Sequence, residues 1–273
     1  MKRFLAVLLV CVLALTCFVG CQKKAVTTGE NNNSVPKAVV VGYTIYEPMN
    51  YPDVNGKLIG FDTELAEAVF GNLGYKVIFQ EIDWSQKYTD LESGTIDCIW
   101  NGFTCNTADD DGILRSEKVD FSYIYMEKRQ VVVVKQSAGI TTAADLSGKM
   151  GVAESGSAGE TYANAFESIN FKGFLKQTEC LTEVEAGTAD FAVVDAQLAK
   201  SYVGKGNYAD LTVVDALSSD VEYYGIGFKK GSALTAQVNE QLEKLAADGT
   251  IATLAEKYGV ATTAITDFSD QKK

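Results

Sequence analysis

Leu91–Thr104, LESGTIDCIWNGFT, predicts a helix end, a glycine turn, a short buried strand and a polar break that exposes Gly102 and Thr104. The first half of this stretch occurs twice. Leu91–Asp97 (LESGTID) corresponds to Val184–Asp190 (VEAGTAD), 93 residues further along the chain, and an apolar strand follows each copy. The repetition indicates that two parts of the chain fold alike.

Five residues beyond the last Asp of each copy stand Gly102 and Asp195, and both positions would lie where a strand ends. Open α/β sheets bind ligands at the carboxyl ends of their strands. The strand–helix–strand–helix–strand order of the first hundred residues predicts parallel strands joined by right-handed crossovers. We therefore expect an α/β protein with two similar lobes, each directing a strand end at a ligand between them.

The composition narrows the class of partner. The chain has 273 residues, enough for two domains, and a formal net charge of −12. An acidic chain without clusters of Lys and Arg is a poor match for nucleic acid. Histidine is absent, which excludes His-based catalytic triads and His-ligated metals.

The N-terminal segment predicts export. Two basic residues precede an apolar run over Phe4–Val19, and Cys21 follows a small residue, which resembles a bacterial lipobox. We expect residues 1–20 to be a signal peptide, Cys21 to be lipidated, and residues 21–37 to form a polar, flexible tether. A plain secretory peptide and a single membrane span are the alternatives.

Two further patterns argue against metal sites and disulfides. Cys98, Cys105 and Cys180 are odd in number and lack CxxC spacing, so neither a disulfide framework nor a zinc site is expected. The run Asp109–Asp111 lacks the regular spacing of a calcium loop and is expected to be a solvated turn.

Several residues near predicted strand ends are candidates for a small-molecule site. Tyr43–Lys57 is an aromatic loop, and Trp84 stands at a strand-to-helix junction. The turn Glu154–Gly159, before a helix, suits a carboxylate, although an ordinary β–α turn would look the same. Asp195 suits an ammonium group, acts as the N-cap of Ala196–Tyr202, or does both.

Taken in order, these motifs resemble the family 3 extracytoplasmic solute-binding proteins, the amino-acid receptors of ABC importers. The resemblance covers Val39–Tyr258 and rests on motifs that are specific only jointly. The matching segments are Gly60–Ala66 (GFDTELA), Leu91–Asp97, Gly102–Thr104 (GFT), Arg115 with Val119–Ser122 (VDFS), Asp145–Lys149 (DLSGK), and Ala186–Asp190 with Asp195.

The resemblance implies a type II periplasmic-binding-protein fold with mixed, mostly parallel sheets, a hinge and an inter-lobe cleft. Lobe I would comprise residues 38–130 and 225–273, and lobe II residues 131–224. The implied function is binding of a free, polar amino acid and its delivery to an ABC importer permease. The protein would be a lipid-anchored extracytoplasmic monomer that needs no cofactor.

The resemblance also assigns roles to residues. An aromatic pair, Tyr46 and Trp84, would sandwich the ligand, while the Gly102 backbone and the Thr104 hydroxyl bind its α-amino and α-carboxylate groups. An Arg would clamp the carboxylate, and Asp195 would take the ammonium group. The full set of expected ligand contacts is Tyr46, Trp84, Asn101, Gly102, Phe103, Thr104, Arg115, Ser157, Ala158 and Asp195.

One departure from the family pattern concerns the Arg. The family places it at most six residues after the position of Thr104, whereas here Arg115 follows eleven residues later. Either Arg115 reaches the cleft across an insertion, which we expect, or another group holds the carboxylate. Glu154 either favours a basic or polar ligand side chain or faces solvent, and a contact role for Cys105 stays open.

Two other function classes are compatible with the same fold. One is an enzyme, because some relatives of this fold are dehydratases, but the absence of His and of a clear catalytic carboxylate pair argues against it. The other is a ligand sensor that acts through a partner protein.

Overall fold

The computed structural model describes residues 37–272, so the predicted signal peptide, Cys21 and all but the end of the tether lie outside the described residues. The described strands are β1 Lys37–Tyr43, β2 Tyr51–Pro52, β3 Leu58–Ile59, β4 Tyr75–Glu81, β5 Cys98–Ile99, β6 Asp120–Phe121, β7 Met126–Lys128, β8 Gln130–Lys135, β9 Met150–Glu154, β10 Asn170–Phe174, β11 Phe191–Asp195, β12 Leu211–Val214, β13 Glu222–Tyr224 and β14 Gly227–Phe228. The α-helices are α1 Phe61–Asn72, α2 Lys87–Ser93, α3 Arg115–Lys118, α4 Ala158–Asn164, α5 Gln177–Ala186, α6 Ala196–Tyr202, α7 Ala233–Ala247 and α8 Thr250–Lys257.

Two five-stranded sheets with the same pairing pattern form the framework. The first has the order β4-β1-β5-β14-β6, and the second has the order β10-β9-β11-β8-β12. In each sheet the first three strands are parallel and the last two join antiparallel to their neighbours. Helix α1 packs against the first sheet, and α7 and α8 pack against α1, while α4, α5 and α6 pack against the second sheet. We call these two halves lobe I and lobe II.

Two short strands carry the chain between the lobes. β7 leads from the first sheet into the second, and β13 leads back. They pair antiparallel with each other, with Lys128 opposite Glu222. The sequence predicts one continuous strand over Val221–Lys229, but Gly225 and Ile226 separate β13 from β14.

The repeated sequence motif has a repeated structure. Gly94 and Gly187 end helices α2 and α5 in the left-handed conformation, with φ values of 78° and 79°. Such a cap favours glycine because a Cβ is strained there. The next Asp of each copy then accepts a backbone N–H from a neighbouring strand: Asp97 from Val40 at 2.7 Å, and Asp190 from Met150 at 2.8 Å.

Helix predictions agree in position and differ mainly in length. α1 begins after Gly60 and buries Phe61, Leu65 and Val69, as its helical spacing predicts. Asp83 caps the following turn, where its side chain accepts the Ser85 N–H. The helix predicted over Glu160–Ile169 is instead α4, which begins at Ala158 and ends at Asn164. Within the described part of the chain, no helix is both long and apolar enough to cross a membrane.

Candidate ligand-binding site between the lobes

The two strand ends singled out by the repeat meet at one buried polar network. The Thr104 hydroxyl, beyond β5, lies 3.4 Å from Glu222 Oε2. Lys128 Nζ lies 2.6 Å from that same oxygen and 2.6 Å from Asp195 Oδ1, at the end of β11. A chain of polar contacts therefore connects the lobe I strand end to the lobe II strand end through the connecting strands.

Only glycine fits at position 102. Its φ is +60°, and a Cβ would lie 2.8 Å from ring atoms of both Tyr46 and Tyr224. Its N–H donates to Asp62 Oδ2 at 2.9 Å, and the Tyr125 hydroxyl donates to the same oxygen. Burial raises the pKa of Asp62 to about 7, even though these donors oppose the shift. The Gly102 N–H is thus used within lobe I.

Asn101 and Phe103, on either side of Gly102, have side chains used for packing and internal hydrogen bonds. Asn101 accepts from the Thr44 hydroxyl and donates to the Thr44 carbonyl and to Asn50. Phe103 lies in an aromatic cluster with Trp84 and Phe121. Their side chains stabilise the loop, so only their backbone could contact a ligand.

The two aromatic residues expected to sandwich a ligand are both in lobe I and both buried. The Tyr46 hydroxyl is 2.7 Å from the Tyr224 hydroxyl, which fixes the Tyr46 ring. Trp84 packs edge-on against Phe103 with ring centres 5.5 Å apart. The Lys87 ammonium lies 5.4 Å from the Trp84 ring centre, so a cation faces this aromatic wall.

Arg115 reaches back to Thr104 across the inserted loop. Its side chain is 1% exposed, and Nη1 lies 3.5 Å from the Thr104 carbonyl. Nε donates to Asp109 Oδ1 at 2.7 Å. Nη2 is buried and has no hydrogen-bond partner among residues 37–272. The insertion therefore supplies a carboxylate for one edge of the guanidinium and leaves a donor on the other edge.

Asp110 and Asp111 lie exposed in a turn, as the composition predicts, but Asp109 is partly buried and binds other side chains. Asp109 also accepts from Lys118 Nζ and from the Tyr88 hydroxyl, each at 2.7 Å. Burial raises the pKa of Asp109, but Arg115 and Lys118 outweigh that effect and lower it to about 2. Across the described residues, no group of three or more metal-ligating side chains is placed to hold an ion.

In lobe II, the predicted turn precedes α4. The Ser157 hydroxyl accepts the Glu160 N–H at 3.1 Å, which makes Ser157 the N-cap, and Ala158 begins the helix. Glu154, the last residue of β9, is buried rather than solvent-facing. Burial and the nearby Asp195 raise its pKa to about 8.

Asp195 precedes α6 but its side chain makes no capping hydrogen bond. Its carboxylate instead accepts from Lys128, from Gln130 at 2.9 Å and from Gln177 at 2.7 Å. Sequence reasoning expected an ammonium partner here, and the structure supplies one from the chain itself. Lys128 and Glu222 were missed because their meeting depends on the pairing of β7 with β13, which no local sequence pattern encodes.

Contacts across the cleft bring the lobes together. Lys87 Nζ donates to the Gly156 carbonyl at 2.8 Å, and the Thr161 hydroxyl donates to Asp110 Oδ1 at 2.8 Å. Burial and the Arg115 charge lower the pKa of Lys87 to about 7. The site is therefore a closed cleft with polar groups from both lobes. The Cys105 thiol is free, and no described contact links it to these groups.

The model of the bacterial extracellular solute-binding proteins, family 3, matches residues 39–261. The chain belongs to this family. The family is one of binding proteins located outside the cytoplasm, which confirms the predicted receptor class, the non-enzymatic role and the extracytoplasmic location.

Individual relatives bind different solutes. The arginine-binding extracellular protein ArtP of Bacillus subtilis is 25% identical over 236 residues, which cover 85% of this chain and 90% of ArtP. The L-cystine-binding protein TcyA of the same organism is 28% identical over 78% of this chain and 77% of its own length. A substrate-binding protein of an ABC uptake transporter from Streptococcus pneumoniae, solved with bound histidine, is 33% identical. The structural match covers 81% of this chain and 92% of the Streptococcus pneumoniae protein, with a TM-score of 0.71.

Such similarity confirms the two-lobed, mixed α/β architecture expected from the internal repeat.

Proposed function

We propose that this receptor binds a free, polar amino acid between its lobes and delivers it to an ABC importer permease. The named relatives bind arginine, cystine and histidine, all of which carry an α-amino and an α-carboxylate group. A closed, polar cleft between two lobes suits a small zwitterion, since every charged end finds a buried partner.

Arg115 carries this proposal. A buried Nη2 without a hydrogen-bond partner among the described residues needs an acceptor, and a ligand carboxylate matches the fork geometry of a guanidinium with two parallel hydrogen bonds. Asp109 holds the Nε edge, so the two Nη atoms are presented together. The α-carboxylate of the ligand would lie against these atoms and against the Thr104 hydroxyl.

The remaining site residues would enclose the ligand. Tyr46 and Trp84 provide apolar walls in lobe I, and the Gly102 carbonyl is an acceptor beside them. Ser157 and Ala158 would close the cleft from lobe II. We place lobe I at residues 38–130 and 225–273, lobe II at 131–224, and the hinge in β7 and β13, because these strands connect the two sheets.

At the cell surface, we propose that Cys21 carries the lipid anchor and that the receptor acts as a monomer. The lipobox-like sequence before Cys21 and the polar segment after it support the anchor. Labelling with a palmitate analogue, lost in Cys21→Ala, tests the modification.

The direct test is a thermal-shift screen of the full chain against the common amino acids, followed by calorimetry. A ligand at one hundred times its Kd should stabilise the protein by about 2.7 kcal/mol. Arg115→Ala should weaken binding by about 2–5 kcal/mol, because truncation leaves a ligand carboxylate buried without its cation. Arg129→Ala is the matched control, since Arg129 is exposed and its guanidinium donates to the Ser219 carbonyl. No shift with any amino acid would refute the proposal.

A further inference from the structure

Two carboxylates from lobe II face the cleft, Asp195 at the end of β11 and Glu154 at the end of the adjacent parallel strand β9. Both are buried, with exposed fractions of 7% and 3%. A cationic nitrogen in the cleft could reach either of them. Their hydrogen-bond partners differ, and that difference indicates which of the two carboxylates would bind such a nitrogen.

Asp195 already has an ammonium partner and further hydrogen-bond donors within the protein. Oδ1 accepts from Lys128 at 2.6 Å and from Gln130 at 2.9 Å, while Oδ2 accepts from Gln177 at 2.7 Å. Three of the roughly four acceptor positions of a carboxylate are therefore used. The matching charge is a lysine whose side chain is 1% exposed, so solvent does not compete for the pair.

Lys128 is itself held in place. Its ammonium also lies 2.6 Å from Glu222 Oε2, and the backbone pairing of β7 with β13 sets Lys128 opposite Glu222. The ammonium is 5.4 Å from the Tyr224 ring centre, a third favourable contact for a cation. A ligand ammonium at this Asp195 oxygen would have to displace a buried lysine that Asp195 and Glu222 hold jointly, so it cannot easily take that position.

Glu154, unlike Asp195, has a carboxylate oxygen without a hydrogen-bond donor in the described part of the chain. Its Oε1 is buried and has no hydrogen-bond partner among residues 37–272. Thr44 and Gln177 are its polar neighbours, and Lys87 and Asp195 are the charged groups near it. Lys87 donates to the Trp84 and Gly156 carbonyls instead. A buried carboxylate oxygen without a donor is unfavourable unless a bound molecule supplies one.

We propose that Glu154, and not Asp195, receives the cationic nitrogen of the ligand. The inference rests on the proposed function, since it names the acceptor for an amino acid held by Arg115. The shared chemistry is an N–H-rich cation, which can be the α-ammonium group or a basic side chain. Lys128 acts as the specificity-determining residue, because its ammonium fills the position at Asp195 that a ligand cation would otherwise take.

Calorimetry of the full chain tests this with Glu154→Gln, an isosteric change that keeps the side-chain volume. Binding of L-arginine should weaken by about tenfold or more, as expected when one partner of a buried charge pair is removed. L-citrulline, which has the shape of arginine without its side-chain charge, separates the two sources. An equal loss for both ligands identifies the α-ammonium group, and a loss for arginine alone identifies the guanidinium.

If the wild type binds other amino acids but not these two, the same variant is measured with the tightest of them, since every amino acid carries an α-ammonium group. Glu167→Gln is the control, because Glu167 is an exposed lobe II acid. Unchanged affinity in Glu154→Gln, with the wild type binding normally, would overturn this inference alone. A wild type that binds no amino acid would instead overturn the proposed function and the inference with it.

Discussion

At the scale of single residues, the cleft is organised by pairs in which one partner orients another. Asp109 accepts from Arg115, Lys118 and Tyr88, so its carboxylate fixes the guanidinium at Nε and leaves the Nη atoms for a ligand. Asp109 belongs to the inserted loop. The insertion thus changes how the arginine is held without removing it from the cleft.

Asp109→Asn should weaken amino-acid binding by about 1–3 kcal/mol, the range for losing a hydrogen bond to a charged group. The loss should nearly vanish for a ligand whose α-carboxylate is replaced by an amide, because the Arg115 clamp then matters little. Calorimetry with L-arginine and L-argininamide measures both. Asp111→Asn, which changes an exposed side chain that pairs with Lys118 and accepts the Ile113 N–H, should bind like the wild type. Equal losses for both ligands would assign Asp109 a purely structural role.

Binding should release a proton below about pH 8. Burial and the Asp195 charge raise the pKa of Glu154 to about 8, so the empty site holds a neutral carboxyl at pH 7. A cation favours the ionised form, which means that affinity rises with pH and levels off above the pKa. Burial and the Arg115 charge lower the pKa of Lys87, the cation nearest to Glu154, to about 7. Its protonation therefore also changes near pH 7, just below the pKa of Glu154.

Calorimetry in buffers of different ionisation enthalpy measures the number of protons released on binding. Glu154→Gln should abolish the release while Glu167→Gln keeps it. Release that persists in Glu154→Gln would assign the proton to another group.

The residue types indicated which side chains could contact a ligand, but not the charge partners and burial of each one in the fold. The sequence placed Asp195 at a strand end, where the structure finds it. The family resemblance made Arg115 the expected carboxylate clamp, and the structure places this residue at the start of α3. The sequence did not show that Lys128 pairs with Asp195, because these residues are 67 positions apart and meet only after the sheets form. Glu154 was left open between ligand contact and solvent, and only burial separates those outcomes.

At the scale of elements, the repeat explains why the fold could be predicted from the sequence. Each copy joins a helix, a left-handed Gly cap and an Asp that binds the neighbouring strand, so local signals and tertiary contacts agree. Elements whose limits depend on tertiary pairing were less predictable. β13 and β14 were predicted as one strand because Gly225 and Ile226 do not break the apolar pattern.

The inserted loop also joins the lobes at the cleft mouth through the hydrogen bond from Thr161 to Asp110. This bond exists only when the lobes meet, so Asp110→Ala should speed ligand release by about 2–10-fold, from a bond worth about 0.5–1.5 kcal/mol. Stopped-flow displacement measures the rate. Thr161→Val completes a double-mutant cycle, in which the second change should add little to the first. Additive effects would mean that the two side chains do not interact in the ligand-bound receptor.

At the scale of the whole molecule, the closed cleft buries acidic groups whose charge opposes folding. Burial raises the pKa of Asp62 from 3.8 to about 7 and that of Glu154 from 4.5 to about 8. The unfolded chain ionises both near pH 4, whereas the folded receptor keeps their protons. As pH rises from about 4 to about 8, the unfolded state therefore binds fewer protons, and the folded state loses stability.

The ligand-free receptor should accordingly be less stable to urea at pH 8 than at pH 5. Each of these two groups contributes about 1.4 kcal/mol per pH unit between its unfolded and folded pKa. Glu154→Gln removes one of them, so its stability relative to the wild type should increase steadily from pH 5 to pH 8. Glu167→Gln, altered at an exposed acid, should run parallel to the wild type. A Glu154→Gln curve that also runs parallel would mean that Glu154 is already ionised in the ligand-free receptor.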